Sequence, residues 1–227
     1  MSKLTIRIIP FISLLLLISV NQAHAQGGGS AYFGVGTAWD SVGTTINSTA
    51  VCPSGNLFDS FDGACEPGPI INGTFGVIGF DYMFRPHIGF NGEYAFRFSQ
   101  APFFPLAGLD MRPGFYDFNA VYEPNGGSNS RIVPVLEGGI GGSNVTLYVN
   151  QTTCVTSTVC TNSSYPAGLS ANHFQVHAAA GVKLYFSGNF FLKPQFDIHY
   201  VPNLTNEFGH DYVPQVTVSI GYTFGQR

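Results

Sequence analysis

Hydrophobic and polar residues alternate strictly along the segment from His173 to Val201. Through most of this segment the even-numbered positions are apolar, and the odd-numbered positions are mostly polar or small. Side chains of a strand point to opposite faces with a period of two, so the pattern predicts a β-hairpin with one apolar and one polar face. Residues 187–189, Ser-Gly-Asn, supply the turn.

The same alternation recurs along the rest of the chain and predicts eight strands. They cover residues 30–39, 71–84, 88–98, 116–123, 131–142, 173–187, 190–201 and 212–224. The connections between them are long, short, medium, short, long, short and medium in turn. The two long ones, residues 40–70 and 143–171, are rich in Ser, Thr, Asn and Gly, a composition typical of loops.

The beginning of the chain predicts export. Lys3 and Arg7 precede an apolar run at residues 8–20, and Ala23-His24-Ala25 fits a signal-peptidase site. We therefore expect residues 1–25 to be a cleaved signal peptide and residues 26–227 to form one domain.

Composition indicates where that domain resides. Only 10% of the residues are charged, against about 25% in a typical soluble domain. The net charge of -4, without basic clusters, argues against a nucleic-acid partner. A soluble lipocalin-like barrel would show the same alternation, but its water-facing surface would then be unusually poor in charge.

Aromatic residues near strand ends indicate that the apolar face is the outer one. Aromatic girdles border the lipid-facing band of membrane barrels. A Lys or Arg facing lipid at mid-depth costs about 2 to 4 kcal/mol, and Arg97, Lys183 and Lys193 all fall on the opposite phase. The girdle candidates are Tyr82, Phe84, Phe98, Tyr116, Tyr122, Phe174, Phe186, Phe190, Tyr200, Tyr212, Tyr222 and Phe224.

These features together give a family resemblance. The signal peptide, the eight amphipathic strands, the alternating connections and the closing segment from Val216 to Phe224 resemble the small bacterial outer-membrane barrels of the OmpA, OmpX and OmpW type. The resemblance implies an all-β, eight-stranded antiparallel up-and-down transmembrane barrel in the bacterial outer membrane. It also implies a monomer surrounded by lipid and inserted by the outer-membrane insertion machinery.

The inward phase carries charges of both signs, which we expect to pair across the lumen. The predicted lumenal polar network consists of Asp81, Glu93, Arg97, Asp117, Glu137, Lys183 and Asp197. A turn centred on Gly188 would set Lys183 opposite Lys193, a like-charge pair that needs a carboxylate between its members.

The same register would set His177 opposite His199. Two imidazoles could bind a metal, but a metal site needs a third ligand and a supporting second shell, which the sequence does not identify. We therefore expect neither a metal nor a cofactor.

Four cysteines lie in the two long connections: Cys52 and Cys65 in the first, Cys154 and Cys160 in the second. Their spacing does not match a zinc site, and an exported protein meets an oxidising compartment, so disulfides are expected. Pairing within each loop is the simplest arrangement, and pairing between loops stays open.

The sequence therefore predicts a non-enzymatic outer-membrane barrel with a structural or adhesin-like role, carried by disulfide-stapled extracellular loops that meet a surface ligand. One alternative is a narrow porin-like channel or small-solute conduit. A further alternative, implied by the resemblance, is a lipid A-modifying enzyme, although no motif fixes a Ser-His-acid triad.

Overall fold

Eight long strands dominate the computed structural model. It describes residues 28–39, 46–47, 50–51, 56–58, 65–67, 71–102, 109–128, 130–156, 159–202 and 211–225. The predicted signal peptide lies outside these residues. The strands are β1 Gly28–Ala38, β2 Gly73–Arg85, β3 Ile88–Arg97, β4 Leu109–Tyr122, β5 Ile132–Thr156, β6 Val159–Ser187, β7 Phe190–Tyr200 and β8 Tyr212–Phe224.

Each strand pairs antiparallel with the strands that precede and follow it in the chain. β8 returns to β1, with Val35 opposite Val218, and so closes the sheet into a barrel. Closure gives every strand a partner on both sides and removes the free sheet edge that lipid does not tolerate. The predicted eight-stranded antiparallel barrel is confirmed.

Tight turns lie at one end of the barrel. Pro86 and His87 join β2 to β3, and Gly188 with Asn189 joins β6 to β7. Gly188 has a φ of 54°, in the left-handed region that glycine adopts without strain. The Asn189 side chain donates a hydrogen bond to the carbonyl of Thr223 at 2.8 Å and ties this turn to β8.

The longer connections lie at the opposite end, and there the sequence prediction needs a correction. Residues 143–171 are not a loop: β5 runs to Thr156 and β6 begins at Val159, so most of this segment forms a β-hairpin. β4 also begins earlier than predicted, at Leu109, which pairs with Val149. Ser, Thr and Asn are poor loop indicators where a neighbouring strand offers backbone partners. In the first long connection, Ile46–Asn47 pairs with Ala50–Val51, and Asn56–Phe58 pairs with Cys65–Pro67.

The outer face of the barrel is apolar. Phe118 in β4 is 69% exposed, Phe33 in β1 is 65% exposed, and every barrel strand contributes exposed aromatic or aliphatic side chains to this band. None of the described residues forms a helix with the length and hydropathy needed to cross a bilayer.

The interior is layered along the barrel. Near the long connections it is filled by buried apolar side chains, among them a Phe75–Phe115 stack with ring centroids 6.0 Å apart. Near the tight turns, Met83, Val121 and Val135 form a smaller apolar cluster. Between the two lies a polar core, which is the candidate functional site. The other loop-side apolar residues include Ala38, Ile71, Val77, Ala101, Met111, Val145, Val201 and Val213.

Candidate functional site

Two buried lysines organise one half of the polar core. The Lys183 ammonium lies 2.8 Å from Asp81 and 2.7 Å from Glu123. The Lys193 ammonium lies 2.6 Å from Glu137. Both lysines are 1% exposed. The register on either side of the lysines sets Gly181 opposite Gln195 and Leu184 opposite Leu192, so the two lysines lie opposite each other as predicted. The carboxylates compensate the like charges of this pair.

Tyr32 connects this half of the core to β2 and β3, and the sequence analysis missed it. Its hydroxyl donates to Glu93 at 2.6 Å and accepts a hydrogen bond from Asn91 at 2.7 Å. The Lys193 ammonium lies 4.3 Å from the centre of its ring. Gly79 makes room for the ring, because a Cβ at that position would overlap it. The signal was present in the sequence: glycines on the inward phase leave space for a large neighbour.

The second half of the core contains the two predicted histidines. His177 lies opposite His199, as predicted, and the rings stack with centroids 4.8 Å apart. The two nitrogens of His177 lie 2.9 Å from Asn119 Oδ1 and 3.2 Å from Asp197 Oδ1. His199 Nε2 lies 3.0 Å from Gln215 Oε1.

Asp117 completes this group. Its Oδ1 accepts a hydrogen bond from Gln175 at 2.6 Å, and its Oδ2 lies 3.7 Å from Nδ1 of His199. On the loop side Phe115 stacks on His199 at 4.4 Å, which separates this group from the loop end of the barrel. Sequence reasoning placed Asp117 in the lumen but could not pair it with the histidines.

The structure brings together most of the predicted network but not all of it. Asp81, Glu93, Asp117, Glu137, Lys183 and Asp197 are all buried in the core. Arg97 is only half-buried: it lies at the loop end of β3, opposite Phe75. Four residues of strand, about 13 Å, separate it from Glu93. Of the predicted lumenal network, Arg97 therefore lies outside the buried core.

A second candidate site is the part of the β5–β6 hairpin that extends beyond its neighbours, residues 150–172, here called the protruding hairpin. Within the part of the chain that the structure describes, β4 pairs with β5 as far as Val149, and β6 pairs with β7 from Val176. Seven residues of β5 beyond Val149 correspond to roughly 20 Å of strand. Ser164 in this hairpin donates a hydrogen bond to Gln100 at 2.9 Å.

The predicted disulfides fall largely outside what the structure describes. Cys52 lies outside the described residues, as do the side chains of Cys65, Cys154 and Cys160. The backbone is described for these three, and Cys154 and Cys160 lie directly opposite each other in the protruding hairpin. The disulfides remain a prediction.

No protein-family model matches the chain. No curated protein matches it either. Among solved structures, the chain is similar to the outer membrane protein OprG from Pseudomonas aeruginosa, at 13% identity over 89% of this chain and 98% of that one, with a TM-score of 0.49. It is also similar to Ail, the attachment invasion locus protein of Yersinia pestis, in complex with the heparin analogue sucrose octasulfate, at 15% identity over 88% and 99% of the chains, with a TM-score of 0.48.

Neisserial surface protein A gives 13% identity over 87% and 97% of the chains, with a TM-score of 0.46. The predicted resemblance to small outer-membrane barrels is confirmed at the level of fold, and similarity of this size concerns the fold alone.

Proposed function

We propose that this chain is a bacterial outer-membrane barrel that does not conduct solutes and that acts at the cell surface through its protruding hairpin. The location in a membrane is supported by the inverted distribution of apolar and charged side chains. Large apolar side chains are exposed on all eight barrel strands, whereas lysines and carboxylates are buried. An exposed apolar surface that encircles a barrel is stable in lipid and unstable in water.

The orientation follows from the two ends of the barrel. Outer-membrane barrels place their short turns in the periplasm and their longer connections outside the cell. The turns at Pro86–His87 and Gly188–Asn189 therefore face the periplasm, and the protruding hairpin faces outward. Both ends of the barrel chain, Gly28 and Phe224, lie on the periplasmic side.

The packing of the interior favours a scaffold over a channel. Phe75, Met111 and Phe115, which lie on the extracellular side of the polar core, are each no more than 1% exposed. An eight-stranded barrel is just wide enough to be filled by side chains. The same layer separates the core from lipid substrates outside the cell, so the proposed role is non-enzymatic.

The protruding hairpin offers two kinds of contact to a partner. Its strands extend past their barrel neighbours, so backbone groups along β5 and β6 are available to an extended polypeptide that adds to the sheet. Residues 150–172 contain no charged residue, and Tyr165 is exposed. Without Lys or Arg, this surface does not favour a sulfated saccharide like the one bound to Ail.

A disulfide between Cys154 and Cys160 would stabilise the tip of this hairpin. Residues directly opposite in an antiparallel pair have Cα atoms about 4.5 to 5.5 Å apart, which falls within the range that a disulfide spans. The backbone register of these two residues therefore supports the within-loop pairing. The partner of Cys65 within the same scheme is Cys52.

Conductance tests the closed barrel. Refolding should first be verified by heat-dependent gel migration, and the protein then inserted into a planar lipid bilayer. We expect no discrete conductance steps, because buried apolar side chains fill the extracellular end of the lumen. Reproducible steps would instead assign the chain to the channel alternative.

A shortened hairpin tests the surface role. Replacing residues 151–163 with Asn-Gly joins Asn150 to Ser164, which already face each other, by a two-residue turn. We expect cells that display this variant to lose adhesion to gelatin, which presents extended polypeptide, while the barrel still folds. Equal adhesion by the wild type and the variant, at equal surface levels, would refute the role of the hairpin.

A further inference from the structure

We propose that Asp117, His177 and His199 form a binding site for one transition-metal cation of the Zn²⁺ class inside the barrel. Each of the three residues offers one ligand atom, and these atoms lie within 4.8 Å of one another. Two ligand atoms of a tetrahedral zinc ion are separated by roughly 3.4 Å, as metal distances of about 2.1 Å require. The 3.7 Å between Asp117 Oδ2 and His199 Nδ1 is close to that value.

The contact between Asp117 and His199 requires a positive charge or a proton between its atoms. His199 Nε2 faces the acceptor Gln215 Oε1, so it carries the ring proton in the neutral imidazole. Nδ1 then presents a lone pair, and it is buried with no hydrogen-bond partner. It faces a carboxylate oxygen, which is also an acceptor. A cation placed between the two satisfies both.

The surrounding residues hold each ligand in place. Gln175 donates to the other oxygen of Asp117, and Gln215 accepts from the other nitrogen of His199. Asn119 and Asp197 lie beside the two nitrogens of His177, so whichever nitrogen binds the metal, the other keeps a partner. A hydrogen bond to the ring nitrogen that does not bind the metal fixes the tautomer and orientation of a metal-binding histidine.

Asp197 lies beside this group but is not one of the three residues whose ligand atoms lie within 4.8 Å of one another. Its contact with His177, at 3.2 Å, is longer than a charge-assisted hydrogen bond usually is. Its second oxygen, Oδ2, is buried and lacks a hydrogen-bond partner. Three protein ligands, two imidazoles and one carboxylate, suit Zn²⁺ and neighbouring metals better than Ca²⁺ or Mg²⁺.

The charge of the core favours a cation. Among the described residues, the buried ionisable side chains comprise six carboxylates and two lysines, besides the two histidines. Lys183 and Lys193 lie against Asp81, Glu123 and Glu137 in the first half of the core, which leaves the second half, around the two histidines, without a lysine. The remaining three carboxylates are Glu93, Asp117 and Asp197. A divalent ion near Asp117 reduces the cost of burying them.

The site is buried beneath Phe115, so the metal should enter during folding. The experiment is to refold the full mature chain with Co²⁺, remove free metal by gel filtration and measure the cobalt that remains. We expect one Co²⁺ per folded chain, with the visible absorption of a tetrahedral ion. His199→Gln and Asp117→Asn should each lower the retained cobalt at least tenfold, and His87→Gln, in an exposed turn, should leave it unchanged.

Failure of the wild-type chain to retain Co²⁺ would overturn the proposal. Equal retention by the wild type and both core variants would overturn it as well, because the metal would then be an adventitious ion at another place. If a core variant does not fold, as judged by gel migration, the test is made on the wild-type chain refolded with Cu²⁺. Its electron paramagnetic resonance spectrum should show coupling to two imidazole nitrogens, and a spectrum without nitrogen coupling would refute the site.

Discussion

Replacing Lys193 with methionine tests whether ion pairs hold the barrel interior together. The lysine ammonium lies 2.6 Å from Glu137, and both side chains are buried. Lys193→Met keeps most of the side-chain volume but leaves the Glu137 carboxylate without its cation, and Oε2 of that carboxylate already lacks a hydrogen bond. Removing one partner of a buried ion pair costs about 3 to 5 kcal/mol.

The assay is a urea titration of the refolded protein in lipid vesicles, followed by fluorescence of Trp39, the only tryptophan in the chain. At a slope of about 2 kcal/mol per M urea, a loss of about 4 kcal/mol lowers the midpoint by about 2 M. The double variant Lys193→Met/Glu137→Met removes both charges and should recover most of this loss, since an apolar pair can replace a buried ion pair at little cost. Arg131→Met, which removes an exposed cation, should change the free energy of unfolding by no more than about 0.5 kcal/mol.

Two results would refute this reasoning. The first is a Lys193→Met variant as stable as the wild type. The second is a double variant whose loss equals the sum of the two single losses, since additive losses mean that the two side chains do not interact. Either result would make the layered apolar packing, rather than the ion pairs, the main source of interior stability.

Three further predictions test the lipid face, the strand packing and the hairpin. Phe118→Arg should lower the free energy of unfolding in vesicles by about 2 to 4 kcal/mol, and Phe118→Leu by much less, if this residue faces lipid. Gly139→Ala should destabilise the barrel by about 1 to 3 kcal/mol because its Cβ would overlap the carbonyl oxygen of Phe118 in β4. Gly138→Ala, whose Cβ would meet only the carbonyl oxygen of His177 at an ordinary contact distance of 3.9 Å, should be nearly neutral in the same titration. Peptide mapping without reductant should find Cys154 joined to Cys160, and reduction should loosen the hairpin tip by about 2 kcal/mol, measured by hydrogen exchange, without changing the barrel.

The buried core and the protruding hairpin have separate proposed roles. In the closed lumen the lysines and carboxylates compensate one another's charge and, on our proposal, Asp117, His177 and His199 hold a metal ion. The hairpin lies beyond the barrel wall and carries the proposed surface contact. Deleting the whole predicted loop, residues 143–171, would not separate the two roles, because Val145 belongs to the buried apolar cluster and Val149 still pairs with β4.

The sequence by itself determined the number of barrel strands, their inward and outward phases and the end of the barrel that carries tight turns. These features are local: alternation with a period of two and a glycine at a turn depend on residues that are close together in the chain. The opposition of His177 and His199 follows in the same way, because one hairpin with one turn fixes it.

The tertiary structure decided which side chains from distant strands meet. Asp117 approaches His199 across 82 residues of chain, a contact that depends on the stagger with which the strands form the barrel. Tyr32 reaches Glu93 over Gly79 of the intervening strand β2, a contact that depends on the registers of β1 with β2 and of β2 with β3. The length of the β5–β6 hairpin was also set by the tertiary structure. Its Ser, Thr and Asn residues are compatible with either loop or strand, and the backbone partners that β4, β5 and β6 offer one another select the strand.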